Sequence, residues 1–120
     1  MKRDMELVRK MLLDFSRGEA QKNFNTDNEA DQLYMYHLEM LKEAGFINFE
    51  EKKFKGGMFL LEAPTLTWGG NDYLDSVADE KIWNKTKAAL KSKGIELSSI
   101  PFSLLKDLAV IQGRQLLGLE

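Results

Sequence analysis

His37 is the single histidine of a 120-residue chain that contains no cysteine, and these two facts bound the chemistry available to it. Clustered imidazole or thiolate metal ligation is excluded, as is a cysteine nucleophile. A Ser-His-Asp relay would have to be built around His37, which lies in the aromatic and apolar run Tyr34-Met35-Tyr36-His37-Leu38, a setting that suits a structural or surface role better. Asp72, Asp75 and Asp79 recur at helical spacing, and three carboxylates on one face can hold Mg²⁺ or Ca²⁺ through oxygen. Carboxylates in such places more commonly stay solvated or neutralise the positive end of a helix. Ser98 and Ser99 suit turn or capping positions, and neither a phosphate loop nor a dinucleotide glycine fingerprint is present. The expectation is a non-enzymatic binding protein with no catalytic residue, no metal and no cofactor.

Two kinds of binding surface are written into the chain. For nucleic acid, Gln32, Tyr36, His37 and Lys42 lie on one amphipathic segment from which side chains could reach a DNA groove. Lys52, Lys53 and Lys55 sit beside a glycine turn, where they could touch phosphates. The net charge of -2 argues against an undirected electrostatic grip, and Asp31, Glu39 and Glu43 on the same segment as Lys42 would repel phosphates. Tyr34, Phe46, Phe49, Phe54 and Phe59 interleave with the lysines in the pattern of a stacking platform, although an amphipathic hairpin packed on helices gives the same pattern. For protein, the last helical segment carries Leu104, Leu105, Leu108 and Ile111, with Leu116 and Leu117 beyond them. Such a face marks an interface with another protein or a second copy if it stays exposed, and otherwise packs back on the first helix. Trp68 and Trp83 are expected in the core.

These residues must be positioned by a mixed α+β fold. Met5, Val8, Leu12 and Phe15 recur at three- to four-residue steps, which predicts a helix from about Arg3 to Ser16 with its exit at Gly18. The stretch around Phe24 could lay one short strand beside a hairpin. Thr26-Asp27-Asn28-Glu29 has the capping-box form, so a second helix should start there or slightly later, with Leu33, Tyr34, Leu38, Leu41 and Ala44 inward. Gly45 stops it. A hairpin should follow, running from Phe46 to Phe54, turning at Lys55-Gly56-Gly57 and returning through Leu61, with Pro64 disturbing the return strand. Thr67 can cap a third helix reaching about Val77. Asp79 restarts or continues it to Gly94, and a last helix runs from about Pro101 to Gly118.

The runs Met1-Lys2-Arg3-Asp4-Met5, Tyr36-His37-Leu38, Leu41-Lys42-Glu43-Ala44-Gly45-Phe46-Ile47, Leu66-Thr67-Trp68-Gly69-Gly70-Asn71-Asp72-Tyr73-Leu74 and Ile82-Trp83 resemble the bacterial and phage domain-of-unknown-function family DUF2513. The resemblance spans nearly the whole chain, and Leu66-Thr67-Trp68 with the following glycines is its most specific part. The chain departs from that pattern at Asn71, where a histidine is expected, and at Gly69, where an acidic residue is. The resemblance implies a winged-helix-like fold often encoded by phages and mobile elements, and it brings no established catalytic residues to carry over. The resulting expectation is an α+β, winged-helix-like core over residues 1–94, with helix-turn-helix character. Residues 95–120 would add a C-terminal helix, packed on that core or at a dimer interface. Double-stranded DNA leads as partner, and a protein-interaction or dimerisation module is the alternative. No segment approaches the ~20 apolar residues of a membrane span, and a cysteine-free chain without an apolar leader fits the cytoplasm.

Overall fold

A computed structural model describes residues 2–119 as α+β, with five α-helices and five short strands. In chain order they are α1 (Met5–Ser16), β1 (Asn23–Asn25), α2 (Glu29–Glu43), β2 (Ile47–Asn48), β3 (Glu51–Phe54), β4 (Gly57–Leu60), β5 (Thr65–Leu66), α3 (Trp68–Val77), α4 (Glu80–Ser92) and α5 (Phe102–Leu116). Strands β1, β4 and β3 form one antiparallel sheet in that order, and β2 pairs separately with β5. Backbone packing divides the chain into two units, one of Lys10–Asn71 and one joining Lys2–Arg9 to the residues from Asp72 onward.

In the first unit, α2 starts where its backbone donors are satisfied. Asn28, not Thr26, is the cap, its side-chain oxygen accepting the Asp31 N–H at 2.9 Å. Asp31 in turn accepts from the Asn25 N–H at 2.9 Å and from Gln21 Nε2 at 2.7 Å, which ties the first turn of α2 to β1 and its approach. The helix ends on Gly45 at φ +80, with Phe46 N–H bonded to the Leu41 carbonyl and Gly45 N–H to that of Lys42. This pair of bonds is a Schellman motif, and it turns the chain straight into β2. Leu38 and Leu41 are buried as expected, Leu33 and Tyr34 only half so. Ala44 is exposed, because as the C-cap it has already left the inward stripe, and His37 occupies the buried face instead.

The expected first hairpin strand is two strands. Phe49 and Glu50 break it, so Ile47 pairs with Leu66 across β2–β5, while Glu51 to Phe54 pair with Leu60 to Gly57. Gly56 makes the turn at φ +88. The return strand stops at Leu60, and β5 resumes directly after Pro64, consistent with a residue that cannot donate to a ladder.

The second unit is built on helix faces. Tyr73, Leu74 and Val77 are buried on α3, Trp83, Thr86 and Leu90 on α4, and Leu105 and Ala109 on α5, which packs against α4. Helix α4 restarts rather than continues α3, because Asp79 caps it by accepting the Ile82 N–H at 3.0 Å. The last carbonyls of α3 are met by Arg9, whose guanidinium donates to Val77 O at 2.8 Å and Ala78 O at 2.7 Å. Arg3 does the same for Ile100 O at 3.1 Å and lies over the Phe102 ring. Burial holds the Tyr73 phenol proton well above its ordinary range.

Trp68 overturns its expected place in the core. The inward stripe of α3 is Gly70, Tyr73, Leu74 and Val77, and Trp68 lies about 200° around the helix from Gly70, leaving the side chain 90% exposed.

Candidate nucleic-acid interface

Each expected groove reader on α2 is placed by the helix geometry, and most of them are already engaged. Gln32 is half-buried, its amide donating to the Thr26 carbonyl at 2.6 Å. Tyr36 is half-buried, with its ring edge-on to His37 at a centroid distance of 5.2 Å. His37 is fully buried, and its Nδ1 lies 2.8 Å from the Leu33 carbonyl. A carbonyl can only accept, so that nitrogen carries the proton. This corrects His37 as a groove reader: a ring without solvent exposure, spent on its own helix, has no face to offer a base edge. Lys42 is exposed and sits over the Phe49 ring at 4.6 Å, on α2 and apart in sequence from the turn lysines. The outward positions of α2 include Glu29, Glu39 and Glu43. Asp31 adds to this acidity, since the Asn25 N–H first and the Gln21 amide second hold its carboxyl below the usual range.

The three turn lysines share one hairpin but not one face. In the β3–β4 register Lys52 stands opposite Phe59, Lys53 opposite Met58 and Phe54 opposite Gly57. Side chains alternate across a strand, so Met58 and Leu60 point inward and are buried, while Lys52, Phe54 and Phe59 share the outer face. Phe54 is 57% exposed and Phe59 37%, with ring centroids 6.3 Å apart. Asn23 of β1 lies opposite Phe59 and continues that face. Lys53 projects on the other side and lies 3.6 Å from Glu51, and Lys55 is exposed at the turn. Gly57 is required because a Cβ there would lie 2.8 Å from the Phe54 ring and 2.3 Å from the Phe24 carbonyl. The result is a cationic turn flanked by two solvent-facing aromatic rings. The exposed phenylalanines were legible only through the pairing register, which decides which of two alternating faces is buried.

Elsewhere two of the three aspartates have structural uses, Asp72 pairing with Lys106 and Asp79 capping α4. Among the described residues no three histidine, aspartate or glutamate side chains converge to hold a metal ion. An open cleft of about 620 Å³ in the first unit is lined by Lys42, Asn48, Phe49, Glu50, Leu61 and Glu62 among others, a mixed-charge rim around one phenylalanine. On α5, Leu105 is fully buried and Leu108 half so, while Leu104 and Ile111 are 54% and 49% exposed. Leu105 is thereby corrected as an interface residue, because a side chain with no exposed surface cannot meet a partner. No helix among the described residues is long and apolar enough to cross a membrane.

Helices combined with a small antiparallel sheet, and a hairpin carrying lysines at and beside its turn, define an α+β protein. The chain belongs to the DUF2513 family of hypothetical proteins, whose pattern matches residues 2–96 and leaves α5 beyond the match. It is also similar to an uncharacterised protein of Haemophilus influenzae, 33% identical over 102 residues that make up 82% of this chain and 86% of that relative. No solved structure matches it.

Proposed function

We propose that this chain is a non-enzymatic, winged-helix-like binding protein of the cytoplasm that meets double-stranded DNA with its β3–β4 hairpin. The observation that carries this reading is the outer face of the hairpin, where Lys52 lies beside the exposed rings of Phe54 and Phe59 and Lys55 stands at the turn. Lysines there can displace phosphate counterions, and apolar rings can press against sugars or open a base step. In the strand order β1-β4-β3, β3 is an edge strand and the β3–β4 turn is free to project, which supports reading the hairpin as a wing. A single helix, α2, lies between β1 and the hairpin, and its outward glutamates favour contact through the wing rather than helix insertion into a groove.

The test is a salt titration of binding to mixed-sequence duplex. For the unaltered chain, log K should fall linearly with log salt. Lys52→Ala/Lys53→Ala/Lys55→Ala should reduce that slope by about 2, near one unit each for the phosphates left by Lys52 and Lys55, since Lys53 projects on the other side of the strand. The weakening should be uniform across sequences. Absence of binding at low salt, or an unchanged slope in the triple variant, defeats the proposal.

A further inference from the structure

We infer that the outward face of α4, built on Lys81 and Lys85, is a second phosphate-contacting surface that holds the backbone of double-stranded DNA without reading its bases. The inference rests on the reading that duplex is the ligand but not on the hairpin, since α4 belongs to the other unit.

Charge summed along the chain hides this face, and helix rotation reveals it. The inward side of α4 is Trp83, Thr86 and Leu90, all buried. At about 100° per residue, the exposed positions of α4 fall within one arc of about 140° on the opposite side. Lys81, Lys85, Ala88 and Ser92 form a row along the axis, within about 60° of one another, and the two lysines are about 6 Å apart in axial rise. Asn84 and Lys91 flank the row on one side, together with Glu80, the only acidic residue of the helix.

This charge is not spent on other side chains. Among the described residues the lysine ion pairs take Lys2, Lys10, Lys53, Lys87 and Lys106, and none takes Lys81, Lys85 or Lys91. Glu80 has Trp83 three positions on and Asn84 four positions on, so it faces no lysine at helical spacing. Lys81 and Lys85 instead form a like-charge pair four residues apart, and Lys81 lies in the first turn, at the positive end of the helix dipole. Both arrangements cost the helix stability, and an anionic ligand turns that cost into attraction. A face kept only for solvation more commonly alternates in sign. Lys87 shows the contrast, because it is turned toward Glu6 and the Trp83 ring.

The composition of the face selects its ligand. Two cations in one row, continued by the short side chains of Ala88 and Ser92, let the helix lie close against a line of phosphates. The exposed arc carries no aromatic ring, which removes the stacking that binding of a single strand uses. Ala88 is its only apolar side chain, so the face cannot embed in a membrane surface as an interfacial helix does. Duplex DNA presents fixed lines of phosphates and can be held without base contacts, and it is the polyanion this face fits.

Fluorescence anisotropy of the full chain with a labelled mixed-sequence duplex, repeated over a range of KCl concentrations, tests the inference. Lys81→Gln/Lys85→Gln should reduce the slope of log K against log salt by about 2, near one unit per lysine, and equally across sequences. Lys81→Arg/Lys85→Arg keeps both charges and should keep the slope of the unaltered chain. Lys2→Gln/Lys10→Gln removes the same net charge from lysines already paired with carboxylates and should leave the slope unchanged. The loss at Lys81 and Lys85 should recur in the Lys52→Ala/Lys53→Ala/Lys55→Ala background, which separates this face from the hairpin. All four substituted glutamine positions are exposed, and unchanged far-ultraviolet circular dichroism will confirm that each variant is folded. Binding that persists with an unaltered slope in Lys81→Gln/Lys85→Gln overturns the inference and leaves the hairpin reading standing, whereas no binding at low salt overturns both. An equal fall in the Lys2→Gln/Lys10→Gln control assigns the effect to net charge, and binding to phosphatidylglycerol vesicles in place of duplex assigns the face to a membrane. Either result overturns the inference as well.

Discussion

Replacing Gly70 by alanine is expected to destabilise the protein by roughly 2–4 kcal/mol and to lower its Tm by about 10 °C. Intrinsic helix propensity has the opposite sign. Gly70 lies inside α3 with ordinary helical φ, and in an open helix glycine to alanine gains up to about 1 kcal/mol. Here tertiary structure decides, because a Cβ on Gly70 would lie 2.0 Å from the Phe46 carbonyl oxygen and 2.9 Å from its carbon. These are backbone atoms that cannot rotate away. The same carbonyl accepts the Thr67 N–H at 2.9 Å, and Thr67 Oγ1 both donates to the Gly45 carbonyl and accepts the Gly70 N–H at 3.1 Å. Any shift that relieves the clash therefore loosens the lock between the end of α2 and the start of α3. Gly69→Ala is the matched control, since its Cβ would meet nothing closer than 3.7 Å. It should be neutral or stabilising by up to about 1 kcal/mol. Thermal unfolding of the two variants checks the pair, and equal effects would remove the role assigned to close approach at Gly70.

Trp83→Ala is expected to be the most damaging single side-chain truncation, at about 3–5 kcal/mol in chemical denaturation. The ring is 2% exposed, so truncation leaves a large void within the second unit. Its indole N–H donates to Glu6, and Arg9 and Lys87 each place a cation 5.8 Å from its centroid, so truncation deprives those partners of a hydrogen bond and a π face together. Lys87 also pairs with Glu6 at 3.1 Å, which keeps the carboxylate from being left wholly alone. By contrast Trp68→Ala should change stability by less than about 0.5 kcal/mol, because that ring has little packing to lose. Iodide quenching gives an independent check. Emission from Trp68 should be strongly quenched in the Trp83→Ala protein, and emission from Trp83 protected in the Trp68→Ala protein.

Local signals accounted for much of the fold. The stripe of Met5, Val8, Leu12 and Phe15 is buried, Gly45 ends α2 in the left-handed conformation, Asp79 caps α4 and Pro64 bounds β5. Each follows from periodicity, a φ preference or a hydrogen-bonding side chain acting within a few residues, which is why it is visible in one dimension. The candidate site was legible in part. The hairpin lysines were visible as charges beside a glycine turn, whereas Phe54 and Phe59 resembled core residues until the pairing with Gly57 and Lys52 set them on the outer face.

Composition by itself determined what chemistry is out of reach: one histidine and no cysteine exclude imidazole or thiolate metal clusters and thiol catalysis whatever the fold. Pattern by itself determined the α+β class and most element boundaries, since these depend on local spacing. Only the tertiary structure decided which member of each chemically similar pair is inside. Trp83 is buried and Trp68 exposed, Leu105 covered and Leu104 open, Gly70 indispensable and Gly69 replaceable. His37 was withdrawn from the surface for the same reason. The members of each pair carry the same side chain and differ in what lies opposite them, and that depends on register, helix rotation and chain segments distant in sequence.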